Sequence, residues 1–117
     1  MAFKFEQLNV WQKSVELSAQ VHEVTRRFPR EELFILTSQM KRAADSIALN
    51  IAEGSTGQSN AEFKQFLGYA LRSGIEVVAC LHLGKRRGIV NAQDFARLHG
   101  AVEEIIKMTH GLRRSLR

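Results

Sequence analysis

The sequence predicts an all-α protein, an antiparallel up-down-up-down four-helix bundle in which residues 1–117 form a single domain. The main observation is the stretch LFILTSQMKRAADSIALNIAEG, residues 33–54, whose apolar residues recur at alternating spacings of three and four. This spacing is typical of a helix that buries one face. Three further stretches repeat it, and short connections between them favour antiparallel neighbours. Apolar alternation with period two is nowhere sustained, so we expect no sheet.

The first helix is predicted over residues 6–28. Its core stripe consists of Val10, Leu17, Val21, Val24 and Phe28. A second apolar stripe, Leu8, Trp11 and Val15, lies roughly 100–160° away on the helix surface. A helix with two apolar stripes contacts two partners, so the second stripe is a candidate interface with another subunit. The alternative is that Trp11 widens the core stripe or folds under the N-terminal segment.

The second helix is predicted over residues 31–53. Pro29 disfavours helical geometry in the residue before it and can itself open a helix. Gly54 is predicted to end this helix in a left-handed cap. The core stripe is predicted to be Leu33, Leu36, Met40, Ala43, Ala44, Ile47 and Ile51.

Three polar residues of the second helix, Gln39, Ser46 and Asn50, lie along one flank. Buried polar side chains need hydrogen-bond partners. We therefore expect these residues to bond across a helix interface, with ligand binding as the alternative.

The third helix is predicted over residues 59–87, because Ser59 and Glu62 form a capping box and Gly88 is a stop signal. A second apolar stripe, Leu71 and Ile75, is another candidate subunit interface. Gly68 and Gly74 each cost roughly 1 kcal/mol relative to alanine inside a helix, which indicates close backbone approach to another helix, within the subunit or between subunits. The core stripe is predicted to be Phe63, Phe66, Leu67, Ala70, Gly74, Val77, Val78 and Leu81.

The fourth helix is predicted over residues 91–115. Asn91 and Asp94 resemble an N-cap pair. The apolar positions that follow, again three and four residues apart, are Phe95, Leu98, Val102, Ile105, Thr109, Leu112 and Leu116.

The net charge of +5 is unevenly distributed along the chain. Residues 1–84 contain nine basic and nine acidic residues, whereas residues 85–117 contain eight basic and three acidic ones. This asymmetry favours an anionic partner, nucleic acid before membrane, while solubility and favourable charges at helix C-termini are the alternative. The bundle order would gather six bases at one end, our preferred nucleic-acid-binding site: Arg26, Arg27, Arg30, Lys85, Arg86 and Arg87. Three acidic residues that would reduce its field, Glu31, Glu32 and Asp94, are expected nearby. A second cluster, Arg113, Arg114 and Arg117, would lie at the opposite end, roughly 37 Å away.

The residues that carry chemistry in enzymes form no recognisable site. The histidines, at positions 22, 82, 99 and 110, have no metal-site spacing, and a phosphate-binding glycine loop is absent. We therefore expect no enzyme activity, no metal and no cofactor. A nuclease built from distant carboxylates is a remote alternative.

The single cysteine, Cys80, cannot form an internal disulfide, which fits the cytoplasm. The N-terminus is charged too early for a signal peptide. No apolar run approaches the ~20 residues that span a bilayer, so no membrane partner is expected.

The segments FEQLNVWQKSVEL, FPREELFILT, LTSQMKRAADSIALNIAEG and AEFKQFL resemble a known family. It is the four-helix-bundle family encoded in intervening sequences of bacterial large-subunit ribosomal RNA genes. The resemblance covers nearly the whole chain, and Asn50 to Gly54 is its most specific part. Ala48 stands where the family commonly has proline, and Gly74 and Cys80 also depart from the pattern.

The resemblance implies a bundle that assembles into a ring of five, and it supplies no catalytic residues. A related bundle is the accessory protein of the reverse transcriptase of diversity-generating retroelements, where a basic ring contacts nucleic acid and enzyme. The function expected here is an oligomeric accessory protein that binds nucleic acid, most readily RNA. A homo-oligomeric scaffold that binds a protein partner without nucleic acid is the alternative.

Overall fold

The computed structural model describes residues 3–117, which contain four α-helices and no strand. The helices are α1 (Asn9–Thr25), α2 (Ser38–Ser55), α3 (Asn60–Arg86) and α4 (Ala92–Ser115). The molecule measures 44 × 25 × 20 Å along its principal axes. The predicted all-α class is confirmed for this part of the chain.

Each helix packs against two others: α1 and α3 both contact α2 and α4. Apolar side chains from all four helices meet in one core, where residues such as Val21, Met40, Leu67 and Leu98 are inaccessible to solvent. These residues lie on the predicted stripes, so the three-and-four spacing identified the buried faces. The arrangement is compatible with an antiparallel bundle.

The helix α1 is shorter at both ends than the predicted span 6–28. A separate 3₁₀ turn, Lys4–Gln7, precedes it, and the extended backbone of Leu8 separates the two. The Glu6 carboxylate accepts a hydrogen bond from the Phe3 N–H at 2.6 Å, which stabilises the turn as a unit of its own. Phe28, expected in the helix, is buried but lies beyond its end at Thr25.

The segment before α2 differs most from the expectation. A 3₁₀ turn, Arg30–Glu32, is followed by a π-helical turn, Leu33–Thr37, before the regular helix begins at Ser38. The wider turn leaves Leu33 45% exposed, so its predicted place in the core stripe is wrong, whereas Leu36 is buried as predicted.

The predicted left-handed cap at Gly54 is also wrong. Gly54 lies inside α2, which continues to Ser55, and Gly88 is the one glycine with a positive φ in residues 3–117. Gly54 is buried where Phe63 and Phe66 of α3 cross it. Its lack of a side chain therefore serves close helix packing and not chain reversal.

The ends of α3 and α4 agree with the sequence signals. The Glu62 N–H donates to Ser59 Oγ at 3.1 Å, and the Asp94 N–H donates to Asn91 Oδ1 at 2.7 Å. After α3, Gly88 adopts φ 75°, and the N–H groups of Gly88 and Ile89 donate to the carbonyls of Lys85 and Gly84. This is a Schellman cap, which requires a left-handed residue at the Gly88 position.

By length and composition alone, α3 would also be able to cross a membrane. A core helix passes the same test. In the structure, residues along its length, from Phe63 to Gly84, are buried against the other helices.

Candidate nucleic-acid interface

The residues predicted as the nucleic-acid site meet at one end of the molecule. Arg27, just after α1, donates to the carboxylate of Asp94 in the first turn of α4 at 2.8 Å. Arg87, just after α3, donates to the carboxylate of Glu32 before α2 at 3.1 Å. These two ion pairs bring together the end of α1, the end of α3 and the beginnings of α2 and α4. We call this region, which carries the six predicted bases Arg26, Arg27, Arg30, Lys85, Arg86 and Arg87, the basic end.

The carboxylate of Asp94 is the electrostatic centre of the basic end. Burial alone would raise the pKa of Asp94, but hydrogen bonds from Arg97 and Arg27, together with their charges, lower it below its usual value. Asp94 therefore keeps its negative charge and neutralises part of the field of these arginines. The carboxylate of Glu32 pairs with Arg87 in the same way, at 3.1 Å.

The other bases of the basic end are less neutralised by carboxylates. Within residues 3–117, Arg30, Lys85 and Arg86 form no ion pair, and all three side chains are exposed. Arg26 has only an exposed partner, Glu23, at 3.7 Å, and such pairs contribute little. Three of the six predicted residues, Arg30, Lys85 and Arg86, thus carry charges that no ion pair within residues 3–117 neutralises.

A cluster of aromatic and imidazole rings adjoins these bases, and sequence reasoning missed it. His82 of α3 packs edgewise against Phe95 of α4 with ring centroids 5.0 Å apart, and His99 stacks on Phe95 at 5.4 Å. Lys85 Nζ lies 4.5 Å from the centre of the Phe95 ring. The spacing of Phe95 and His99, one helical turn, was visible in the sequence, but the register of α3 against α4 was not. We call His82, Phe95 and His99 the ring cluster.

The C-terminal bases lie elsewhere on the bundle. Arg113 of α4 passes beside Gly68 of α3, where it helps to line a surface cavity of about 430 Å³ together with Tyr69 and Arg72. Gly68 thus accommodates a side chain, whereas Gly74 accommodates the close approach of Ile106 from α4. The predicted close approach is found within the chain at Gly74, whereas Gly68 makes only an ordinary contact with the end of the Arg113 side chain.

The predicted interface residues have different environments. Val15 and Ile75 are 42% and 62% exposed, whereas Leu71 is buried within the chain. Leu8 and Trp11 are half-buried against the core, and the Trp11 ring packs edgewise on Phe5 of the N-terminal turn at 4.8 Å. Trp11 therefore widens the core and packs under the N-terminal segment, and Val15 and Ile75 are the predicted interface residues that leave an apolar side chain open to a partner.

The π-helical turn exposes a further apolar group that the sequence reasoning did not single out. Phe34 is 89% exposed and Ile35 is 58% exposed, next to the partly exposed Leu33. Three consecutive apolar residues that face solvent are typical of a contact surface.

The polar residues of α2 bond to neighbouring helices and to their own helix. Gln39 donates to Glu76 of α3 at 3.3 Å, and Ser73 of α3 donates to Ser46 at 2.9 Å. Asn50 donates to Ser46 within α2. The expected bonding across a helix interface is confirmed for Gln39 and Ser46.

A serine, a histidine and an aspartate also meet between α1 and α2. Ser18 Oγ donates to Asp45, and His22 Nε2 lies 3.2 Å from the same carboxylate oxygen. A nucleophilic serine requires a base that accepts its proton, usually an imidazole. Here the hydroxyl bonds to the carboxylate and not to the imidazole, so the three residues link α1 and α2 and lack the hydrogen bond of a serine–histidine pair.

Other potential sites in the described residues offer little chemistry. No group of three or more His, Cys, Asp or Glu side chains within residues 3–117 is arranged to hold a metal ion. The groove between α1 and α4, about 510 Å³, is lined by Lys13 and Glu104, whose ion pair raises the pKa of Lys13. Burial raises the pKa of the Cys80 thiol, which disfavours the reactive thiolate.

Comparison with known proteins identifies relatives of this chain. The family model described as 23S rRNA-intervening sequence protein matches residues 6–111. A crystal structure from Bacteroides thetaiotaomicron, described as a protein of unknown function from the S23 ribosomal protein family, is similar with a TM-score of 0.83. The two are 26% identical, and the match covers 89% of this chain and 97% of that chain. No curated protein matches the chain.

Proposed function

Since the chain belongs to the 23S rRNA-intervening sequence protein family, we propose that it is an oligomeric accessory protein that binds nucleic acid, most readily RNA. The proposed role is binding without catalysis or cofactor, in the cytoplasm and away from membranes. The basic end supplies the contacts to the phosphate backbone. The family name connects its members with ribosomal RNA, and the charges of this chain support the same class of partner.

The observation that carries the proposal is the confinement of the charge excess to residues 85–117, with eight basic residues against three acidic ones. Phosphate groups attract the part of this excess that lies at the basic end, Lys85, Arg86 and Arg87, and neutralising the phosphates releases condensed counterions. The open side chains of Arg30, Lys85 and Arg86 supply the first contacts. Arg27 and Arg87, already paired with carboxylates, contribute less.

We also infer that the helices alternate in direction, up, down, up and down. The contacts between α2 and α3 support this order, because Gln39 meets Glu76 whereas the later residue Ser46 meets the earlier residue Ser73. Between α3 and α4, His82 meets Phe95, whereas the earlier Gly68 meets the later Arg113. In this order the basic end and Arg113 to Arg117 lie at opposite ends.

We further propose that copies of this chain form a closed ring, most simply of five as the resemblance implies. Ring closure needs two different surfaces that meet head to tail. Val15 on α1 and Ile75 on α3 are exposed apolar side chains on two separate helices. In a ring of five, the charge of +5 per chain would become +25 by multiplication.

A protein-binding scaffold is the second candidate function, favoured by the exposed group Leu33, Phe34 and Ile35. A partner that covers these side chains would bury apolar area without any use of the basic end. RNA binding and protein binding are separated by the salt dependence of complex formation, which is steep only when phosphates are contacted.

The test is a salt titration of binding to a single-stranded RNA oligonucleotide, measured by fluorescence anisotropy. Joint replacement of Lys85, Arg86 and Arg87 by Ala is expected to lower the slope of log affinity against log salt. Each lost phosphate contact lowers the slope by ~0.7. Helix content, followed by circular dichroism, is expected to stay unchanged because all three side chains are exposed.

The matched control removes the same charge from the other end, through joint replacement of Arg113, Arg114 and Arg117 by Ala. This variant is expected to keep the wild-type slope. If the control lowers the slope and the first variant does not, the site lies at the other end. If wild-type protein binds no RNA at low salt, RNA binding is excluded and the protein-binding scaffold becomes the favoured function.

A further inference from the structure

The ring cluster forms a surface of planar side chains, and phosphate binding by the bases of the basic end does not explain why it is there. Phe95 is half-buried, and its ring packs against the core, so its position is fixed. His99, one turn later on α4, stacks on it with an angle of 28° between the ring planes. His82 from α3 meets both rings edgewise, with centroids 5.0 and 6.2 Å away. Three flat rings therefore form a continuous patch across the seam between α3 and α4.

The imidazole groups of the patch are unused within the chain. In the part of the protein that the structure describes, neither His82 nor His99 hydrogen-bonds to another residue, in contrast to His22. His82 is exposed and His99 is half-buried. Their ring nitrogens remain free to bond the edge of a planar ligand, while their faces can stack on it.

Positive charge surrounds the same patch. Lys85 lies over the Phe95 ring, and Arg86, one turn after His82 on α3, is exposed and forms no ion pair within residues 3–117. A planar ligand that stacks here would thus have cations beside it. A base joined to a phosphate backbone has this combination of properties, and stacking surfaces next to cationic side chains are typical of single-strand binding sites.

We propose that His82, Phe95 and His99 form a stacking platform for an unpaired base of single-stranded RNA, with Lys85 and Arg86 on the adjoining phosphates. This inference rests on the proposed function and names the part of the RNA that is recognised. Lys85 covers a face of Phe95 in the free protein, and its flexible stem lets the ammonium move to a phosphate as the base arrives. Bases in a duplex are stacked on one another, so the platform selects single strands.

Stacking and phosphate contact affect two different measured quantities, the affinity for bases and the salt dependence of binding. Loss of a ring lowers the affinity for bases but does not change the number of counterions released on binding. The slope of log affinity against log salt therefore stays constant. Loss of Lys85 or Arg86 lowers the slope. A purely structural role of the rings, holding α3 against α4, would alter stability and leave the preference for bases unchanged.

The experiment compares a single-stranded RNA oligonucleotide with a ribose-phosphate oligomer of the same length that lacks bases. Wild-type protein is expected to bind the base-bearing strand about tenfold more tightly. The double variant His82→Ala, His99→Ala is expected to lose this preference and keep the wild-type salt slope. The variant Phe95→Leu retains an apolar side chain against the core and tests the third ring with a smaller loss of packing than alanine would cause.

The control is His110→Ala, which removes an exposed histidine of α4 outside the ring cluster and is expected to change nothing. Equal wild-type affinity for both oligomers, with a steep salt slope, overturns the platform while phosphate binding stands. Absence of any RNA binding overturns both. A preference that survives in the double variant and in Phe95→Leu assigns the rings to helix packing alone.

Discussion

Gly54 is buried where α3 crosses the last turn of α2, and no larger residue fits there without movement. A Cβ atom at this position would lie 2.6 Å from the Cβ of Phe66 and 3.0 Å from the Phe63 ring. The neighbouring atom is attached to the backbone of α3, so relief requires the helices to separate. Gly100 of α4 is the opposite case, since a Cβ atom there would have nothing within 4 Å of it.

We predict that replacement of glycine by alanine has opposite effects on stability at these two positions. Gly54→Ala is expected to lower the free energy of unfolding by roughly 1–3 kcal/mol through overpacking. Gly100→Ala, at an exposed position inside α4, is expected to raise it by up to about 1 kcal/mol through helix propensity. Urea unfolding followed by circular dichroism measures both. A stabilised Gly54→Ala would mean that the close contact of α2 and α3 relaxes freely.

At the scale of elements, the ion pair between Arg27 and Asp94 connects the end of α1 to the first turn of α4. Asp94 also lies where the positive end of the α4 dipole favours a carboxylate. Its pKa is lowered in the folded protein, so the folded state holds the negative charge more strongly than the unfolded chain does. The stabilisation is complete above the ordinary carboxyl pKa of about 3.9 and is lost as the pH falls through the lower folded value.

Arg27→Ala is therefore expected to lower stability by about 0.5 kcal/mol at neutral pH and by progressively less below pH 4. Thermal unfolding of wild-type and variant protein from pH 7 to pH 3 measures the difference. Arg26→Ala is the matched control, because the Arg26 pair with Glu23 is long and exposed. A difference for Arg27→Ala that is constant with pH would assign the effect to packing and not to charge.

At the scale of the whole molecule, exposed apolar side chains bear on assembly. Ile75 is 62% exposed in the single chain, so replacement by glutamate creates no cavity and leaves the helix bundle intact. Trp11 is a poorer probe, because it packs against the core and Phe5, and its loss would unfold the chain as well. A charge placed in an apolar interface weakens association strongly.

Wild-type protein is expected to sediment as an oligomer, and Ile75→Glu to weaken association at least tenfold while helix content is kept. Analytical ultracentrifugation at micromolar concentration measures the mass. Leu49→Glu, at an equally exposed position on α2, is the control. A wild-type mass of 13.3 kDa would contradict assembly, and dissociation by Leu49→Glu alone would move the interface to α2.

The sequence by itself determined the features that depend on residues close together in the chain. The beginnings of α3 and α4 were predicted within one residue, because Ser59 and Asn91 bond backbone groups three residues away. The end of α3 was predicted for the same reason, since only the left-handed Gly88 closes its cap. Buried faces followed from the helical period, which is also a local property.

Only the tertiary structure decided which distant residues meet. Gly54 was predicted as a cap because no residue close to it in the sequence indicates that Phe66 packs against it. The π-helical turn before α2 changes which apolar residues face outward, and Leu33 therefore differs from the regular pattern. The six bases were identified from sequence, but which carboxylates pair with which of them, and the ring cluster, depend on contacts such as Arg27 with Asp94, 67 positions apart. Helical periodicity specifies which face of a helix is buried, whereas the register of one helix against another depends on side-chain packing across the bundle.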